Sequence, residues 1–164
     1  MKKMKAKTLV YTAMMAALIA VATLFIHIPI FMQSGYCNLG DAFILASGAL
    51  IGPWAAAAAA VGSALADLLL GYMVYVPATA VIKGAMGWIA GVLCKNQKTL
   101  WKRIFLMALA ECLMVGGYFL FESALYGAAA AAGSVIGNVS QGVMGLAVGC
   151  VLWPLMEKMK KMIP

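Results

Sequence analysis

The sequence predicts an all-α integral membrane protein, a single domain over residues 1–164 built as a bundle of six transmembrane helices with both termini cytoplasmic. Three observations predict it. Of the 164 residues 65% are hydrophobic and only 10% charged, against roughly 25% charged in an ordinary soluble domain, so the charges are too few to coat a water-facing surface. The apolar residues are gathered into runs, several of them near the roughly 20 residues that cross a hydrocarbon core. The cations are sorted by position: Lys2, Lys3, Lys5 and Lys7 precede the first run, Lys95, Lys98, Lys102 and Arg103 fill one central loop, and Lys158, Lys160 and Lys161 follow the last run. Because cationic flanks stay cytoplasmic, these three regions share one side and an even number of crossings separates them. The net charge of +7 then reads as topology and attraction to anionic lipid headgroups rather than as nucleic-acid binding.

The spans follow in order. Residues 8–30 form the first, a run too long for the core of a secretion signal. A polar stretch from Gln33 to Asn38 follows, and Asp41 opens a second run, 41–52, stopped by Gly52–Pro53. A dozen helical residues cover only about 18 Å, so the 31–40 loop is expected to dip below the membrane surface, where protein or a water-filled cavity must surround it. Residues 54–71 rise as the third span, with Ala55–Ala60, Gly62 and Ser63 suited to close helix packing. The loop 72–77 has no cation, as expected outside. Residues 78–94 descend to the basic loop, 104–126 rise, the small-residue stretch 127–133 reads as a connection, and 135–156 descend into the cationic tail. No internal repeat of the kind that builds autonomous transporters is visible.

Ionisable groups within spans are costly and so are the first candidates for function. Asp67 and Lys83 fall at similar depth on adjoining helices and suggest a buried ion pair, either a helix lock or a ligand contact. Asp41 is either a first-turn residue complementing the helix dipole or part of the site. Glu111, nearer the middle of its span, must be protonated, paired or turned toward a cavity. Asn138 and Gln141 share one helix face and either bond a neighbouring helix or point at a ligand. Tyr36, Tyr72, Tyr75, Tyr118 and Tyr126 gather near the outer ends of spans, as interfacial anchors or as stacking surfaces. Cys37, Cys94, Cys112 and Cys150 show no metal or disulfide spacing and His27 is the single histidine, so no cofactor or metal is expected. With no GxxxxGK[ST] loop and no nucleophile elbow the chain reads as no enzyme. Uphill movement of a solute would draw energy from another subunit or an ion gradient; the latter is the alternative of an autonomous ion-coupled secondary transporter.

Particular residues carry a family resemblance. Asn38-Leu39-Gly40-Asp41-Ala42-Phe43-Ile44, Gly52-Pro53, Gly62-Ser63-Ala64-Leu65-Ala66-Asp67-Leu68, Gly71-Tyr72, Pro77-Ala78-Thr79 and Ile82-Lys83-Gly84 resemble the substrate-binding S components of energy-coupling factor (ECF) vitamin transporters, in particular the riboflavin-type branch. The resemblance implies a subunit of a prokaryotic plasma membrane that captures a vitamin or precursor at the outer face. It would deliver its cargo by toppling against a transmembrane coupling subunit driven by two ATPase subunits. Riboflavin, pyridoxine and hydroxymethylpyrimidine all suit a flat polar ring. The candidate ligand-facing residues are Tyr36, Asn38, Asp41, Asp67, Tyr72, Tyr75, Lys83, Glu111, Glu122, Asn138 and Gln141. Family members meet the coupling subunit through an AxxxA motif on the first helix, a spacing that Ala13 with Ala17, and Ala16 with Ala20, both satisfy.

Overall fold

In a computed structural model the described residues are 6–25, 27–29 and 36–162, the side chains of 36 and 37 and of 27–29 apart. Six α-helices dominate: α1 (Ala6–Phe25), α2 (Gly40–Ile51), α3 (Ala55–Leu69), α4 (Val76–Trp88), α5 (Leu100–Tyr126) and α6 (Ala128–Met162). Two short strands, β1 (His27–Pro29) and β2 (Tyr36–Asn38), pair antiparallel with His27 opposite Asn38. This hairpin, which the sequence reading took for the end of the first span and a loop, carries the chain back into the bundle before α2 begins. Helix α4 ends in a wider π turn (Ile89–Leu93) and a 3-10 turn (Cys94–Asn96).

Contacts between residues fix the direction of each helix. Asp41 of α2 meets Lys83 of α4, and Gly84 of α4 lies against Ala60 of α3. Residues 41 and 60 therefore sit at one level, and the chain must reverse between them. It does so at Gly52, where φ is +60°, a left-handed conformation that glycine adopts without steric penalty, and Pro53 opens the 3-10 turn leading into α3. On α6, Gly145 faces Asp41 and Gly149 faces Leu45, so α2 and α6 run the same way. On α5, Gly117 faces Ile82 and Tyr118 meets Thr79, so α5 runs against α4.

Among the described residues, length and apolarity alone make five stretches able to cross a membrane: Ala6–Phe25, Gly40–Leu69, Val76–Asn96, Leu100–Tyr126 and Ala128–Met162. The second of these contains the reversal at Gly52. Helix α2 is the centre of the molecule: apart from Phe43, each of its residues is buried, and Ile44, Leu45 and Ala46 are fully enclosed. The outer surface is conversely apolar, with Phe25, Val81, Phe105, Leu120, Ile136 and Val151 each more than two-thirds exposed, as a hydrocarbon-facing belt requires. Helix α6 begins at Ala128, seven residues before the predicted span, because the alanine-rich stretch read as a connection is made of the best helix former. Only Gly127, at φ +86°, separates it from α5.

Candidate functional site

One end of the bundle holds a polar cavity lined by Thr23 of α1, Asn38 of β2, Ser63 and Asp67 of α3, Tyr72 and Tyr75 before α4, Thr79 and Lys83 of α4, Tyr118 and Glu122 of α5, and Asn138 and Gln141 of α6. Its free volume of about 60 Å³ admits a few water molecules, so a ring-sized guest requires side chains to shift.

The floor is a chain of polar contacts through five elements. Lys83 Nζ lies 2.5 Å from Asp41 Oδ1. Gln141 Nε2 donates to Asp41 Oδ2 at 2.6 Å. The Gln141 carbonyl oxygen accepts from both the backbone N–H of Asn38, at 3.2 Å, and its side-chain amide, at 3.0 Å. Asn38 Oδ1 accepts from the Gly40 N–H at 2.8 Å and from the Thr23 hydroxyl at 3.4 Å. Buried polar groups persist only when so paired. The close ion pair thus corrects the one suggested by the sequence: Lys83 pairs with Asp41, not Asp67. The short α2 starts at the level of Lys83 and delivers Asp41 to it, an approach that the spacing of α3 and α4 alone does not reveal. Asp41 does stand in the first turn of α2, where a carboxylate complements the helix dipole, while its two oxygens bond Lys83 and Gln141.

The upper wall is aromatic and acidic. Tyr75 stands edge-on to Tyr72 (ring centres 6.1 Å apart) and to Phe121 (5.6 Å), and is tilted against Tyr118 (6.5 Å). The Lys83 ammonium sits 5.5 Å from the centre of the Tyr118 ring, near enough for cation–π attraction, and the Tyr118 and Thr79 hydroxyls are 2.8 Å apart. Glu122 accepts from the Tyr75 hydroxyl at 3.3 Å and from Ser134 Oγ. Burial, and then the Glu122 carboxylate, push the Tyr75 hydroxyl above its usual range, so it remains a neutral donor.

Of the residues singled out in the sequence, Asn38, Asp67, Tyr72, Tyr75, Lys83, Glu122, Asn138 and Gln141 line the cavity. Asp41 lies directly beneath it, and Glu111 is buried behind Asp41. The Tyr36 side chain lies outside the described residues. The sequence reading did not select Thr23, Ser63 or Thr79 as ligand-facing and named Tyr118, which also lines the cavity, only among the tyrosines that anchor or stack, although Ser63 and Thr79 each stand one helical turn before a charged candidate, Asp67 and Lys83. On α1, Ala20 is buried and Ala16 half-buried, its carbonyl against Gly62 of α3, whereas Ala13 and Ala17 are exposed.

Comparison with known proteins gives this arrangement a context. A Pyrococcus woesei protein described as "Uncharacterized protein in gap 3'region" is 34% identical over 141 residues, covering 85% of this chain and 95% of its own. The thiamine precursor transporter HmpT of Lactococcus lactis subsp. cremoris is 32% identical over 94 residues, 57% of this chain and 52% of HmpT. In three dimensions the chain is similar to the S component for biotin of an ECF-type ABC transporter, at a TM-score of 0.69 and 18% identity, over 97% of this chain and 95% of that one; at that identity the likeness speaks for the fold alone. The family model of the ECF-type riboflavin transporter S component matches residues 3–160, and the chain, a multi-pass membrane protein, belongs to that family.

Proposed function

We propose that this chain is the substrate-capture subunit of an ECF-type importer, binding a small vitamin or vitamin precursor in the cavity at the outer face of a prokaryotic plasma membrane. In this reading the chain crosses the bilayer six times with both termini inside. It docks through the Ala13/Ala17 face of α1 on a coupling subunit, and two ATPase subunits supply the energy. The observation that carries it is the convergence of a dozen mostly polar side chains, from five helices, β2 and the segment before α4, on a single cavity in a molecule whose exterior is apolar. A membrane interior retains such groups where a guest or a neighbour satisfies them.

The cavity also favours a class of guest. Lys83, the one cation among the lining residues, is already paired with Asp41. An anionic vitamin would therefore compete with Asp41 for the cation it needs. The tyrosines supply ring faces, and the small volume favours one ring over three. We therefore place a single-ring, neutral or cationic compound such as hydroxymethylpyrimidine or pyridoxine ahead of riboflavin and ahead of a carboxylate such as biotin, in keeping with the name of the HmpT relative.

The test is equilibrium binding to the chain purified alone in lipid nanodiscs. Hydroxymethylpyrimidine or pyridoxine is expected to bind at least about 100-fold tighter than biotin, a difference of ~2.7 kcal/mol, without sodium or proton dependence. Preference for biotin would overturn the charge argument. Sodium- or proton-driven uptake by the chain without other subunits would instead establish the autonomous transporter.

A further inference from the structure

One ionisable side chain near the cavity floor stands outside its bonding. Glu111, on the inward face of α5, is 5% exposed, and among the described residues neither of its carboxyl oxygens has a hydrogen-bond partner. It does not line the cavity. It is set into the seam between α5 and α6, where glycines make room for it. A Cβ on Gly145 would lie 2.6 Å from Glu111 Oε1 and 2.9 Å from Asp41 Cβ, and one on Gly142 would lie 3.2 Å from Glu111 Cβ. Glu111 and Asp41 are therefore near neighbours.

The groups facing this carboxyl make an unbalanced set. Helix α2 offers Asp41, and α4 offers Lys83, whose ammonium is held 2.5 Å from Asp41. Helix α6 offers no ionisable group at this level, only the Gln141 amide, which donates to Asp41, and glycine backbone. On α5 itself Tyr118, two turns further on, lies under Lys83. One cation thus serves two carboxyl groups, and both oxygens of Asp41 are already engaged. An ionised carboxylate with no donor, buried beside a second carboxylate, is strongly disfavoured. A neutral acid in the same place is not.

We propose that Glu111 is held as a protonated carboxylic acid and acts as a positioning residue: it fills the space behind Asp41 without competing for Lys83, so that the ammonium stays on Asp41 at the cavity floor. Ionisation of Glu111 would draw Lys83 away from Asp41 and loosen the Asp41–Gln141–Asn38 chain. The protonation claim rests on this packing. Only the ligand readout below depends on the proposed function.

The experiment uses the full chain in lipid nanodiscs, wild type and Glu111→Gln, with three readouts. In infrared difference spectra at neutral pH the wild type should show the carbonyl stretch of a protonated, water-shielded carboxyl that the glutamine variant lacks. In thermal unfolding the wild type should lose stability as pH rises from the ordinary carboxylate range, where the unfolded chain releases this proton, up to the point where Glu111 ionises in the folded protein. Across that range the folded protein holds a proton that the unfolded chain has released, so this contribution is present at low pH and lost at high pH. The Glu111→Gln variant should show a smaller loss over the same range. With hydroxymethylpyrimidine as probe, the variant should bind within about threefold of the wild type, as expected for a neutral replacement of the same shape. Absence of the carbonyl band, or identical pH slopes in the two proteins, overturns the proposal. So does a probe affinity that falls more than about tenfold in a folded variant, which would make the charge itself a requirement. If the wild type binds no probe, the proposed ligand class fails, and the spectra and melting curves still decide the state of Glu111.

Discussion

Of the ion pairs among the described residues, Lys83 and Asp41 form the more deeply buried, and each alone would be an uncompensated charge. Lys83→Ala is expected to destabilise the chain by about 3–5 kcal/mol as read by thermal unfolding. Lys83→Met combined with Asp41→Asn should be milder than either single change, since no buried charge is left unpaired; a double variant worse than both would mean the pair acts through something other than charge balance. Gly145 tests the same floor from α6. The added methyl of Gly145→Ala would press on Glu111 and Asp41, an overpacking expected to cost about 1–3 kcal/mol and to weaken ligand binding, whereas Gly116→Ala, with no atom within 4 Å of the new methyl, should be stable. At this scale much of the site is readable in advance, because a charge or amide in an apolar run announces itself: eight of the chosen residues line the cavity. The partners are not readable. Asp41 reaches Lys83 only because α2 is short and central, and the hydroxyls of Thr23, Ser63 and Thr79 give no signal, since such groups in helices commonly bond their own backbone.

Helix α1 shows how one element divides between two tasks. The alanines at 13, 16, 17 and 20 make two overlapping AxxxA pairs in sequence, and the fold separates them: Ala20 is buried and Ala16 turns toward α3, while Ala13 and Ala17 lie on the open side with Val10, Met14 and Val21. Ala17→Trp should therefore change stability by no more than about 0.5 kcal/mol and leave ligand affinity intact, yet abolish transport by the assembled importer. Ala20→Trp should destabilise the isolated chain by overpacking, about 1–3 kcal/mol or more. Equal loss of stability in both variants would show that the Ala13/Ala17 face packs within the chain. Elements themselves were legible where length and punctuation agree, as at Gly52–Pro53, which ends α2 and starts α3. They were not where the signal is weak: three-residue strands such as His27–Pro29 are too short for periodicity to register, and the small residues 127–133 look like a loop although alanine favours the helix they form.

Over the whole molecule, the directions imposed by residue contacts and the placement of charge agree independently. Helices α2, α4 and α6 run one way and α3 and α5 the other, so the basic loop around Lys98 and the tail at Lys160 and Lys161 lie at the end of the bundle opposite the cavity. The loop 72–75, by contrast, stands over the cavity with Tyr72 and Tyr75 in its lining. Since cationic flanks remain inside, we propose that the cavity end faces outside, and this can be tested without any ligand. In a cysteine-free background that keeps the fold, a single cysteine at Met73, which is 66% exposed, should react with an impermeant thiol reagent added to intact cells. Single cysteines at Lys98 or Lys160 should react only after the membrane is opened. Labelling of Lys98→Cys from outside would invert the molecule and place the cavity on the cytoplasmic face, where capture of an external vitamin is impossible. Labelling of both Met73→Cys and Lys98→Cys from one side would mean that α4 does not cross the bilayer, and the level shared by Asp41, Lys83 and Gly145 could not then lie within the hydrocarbon core.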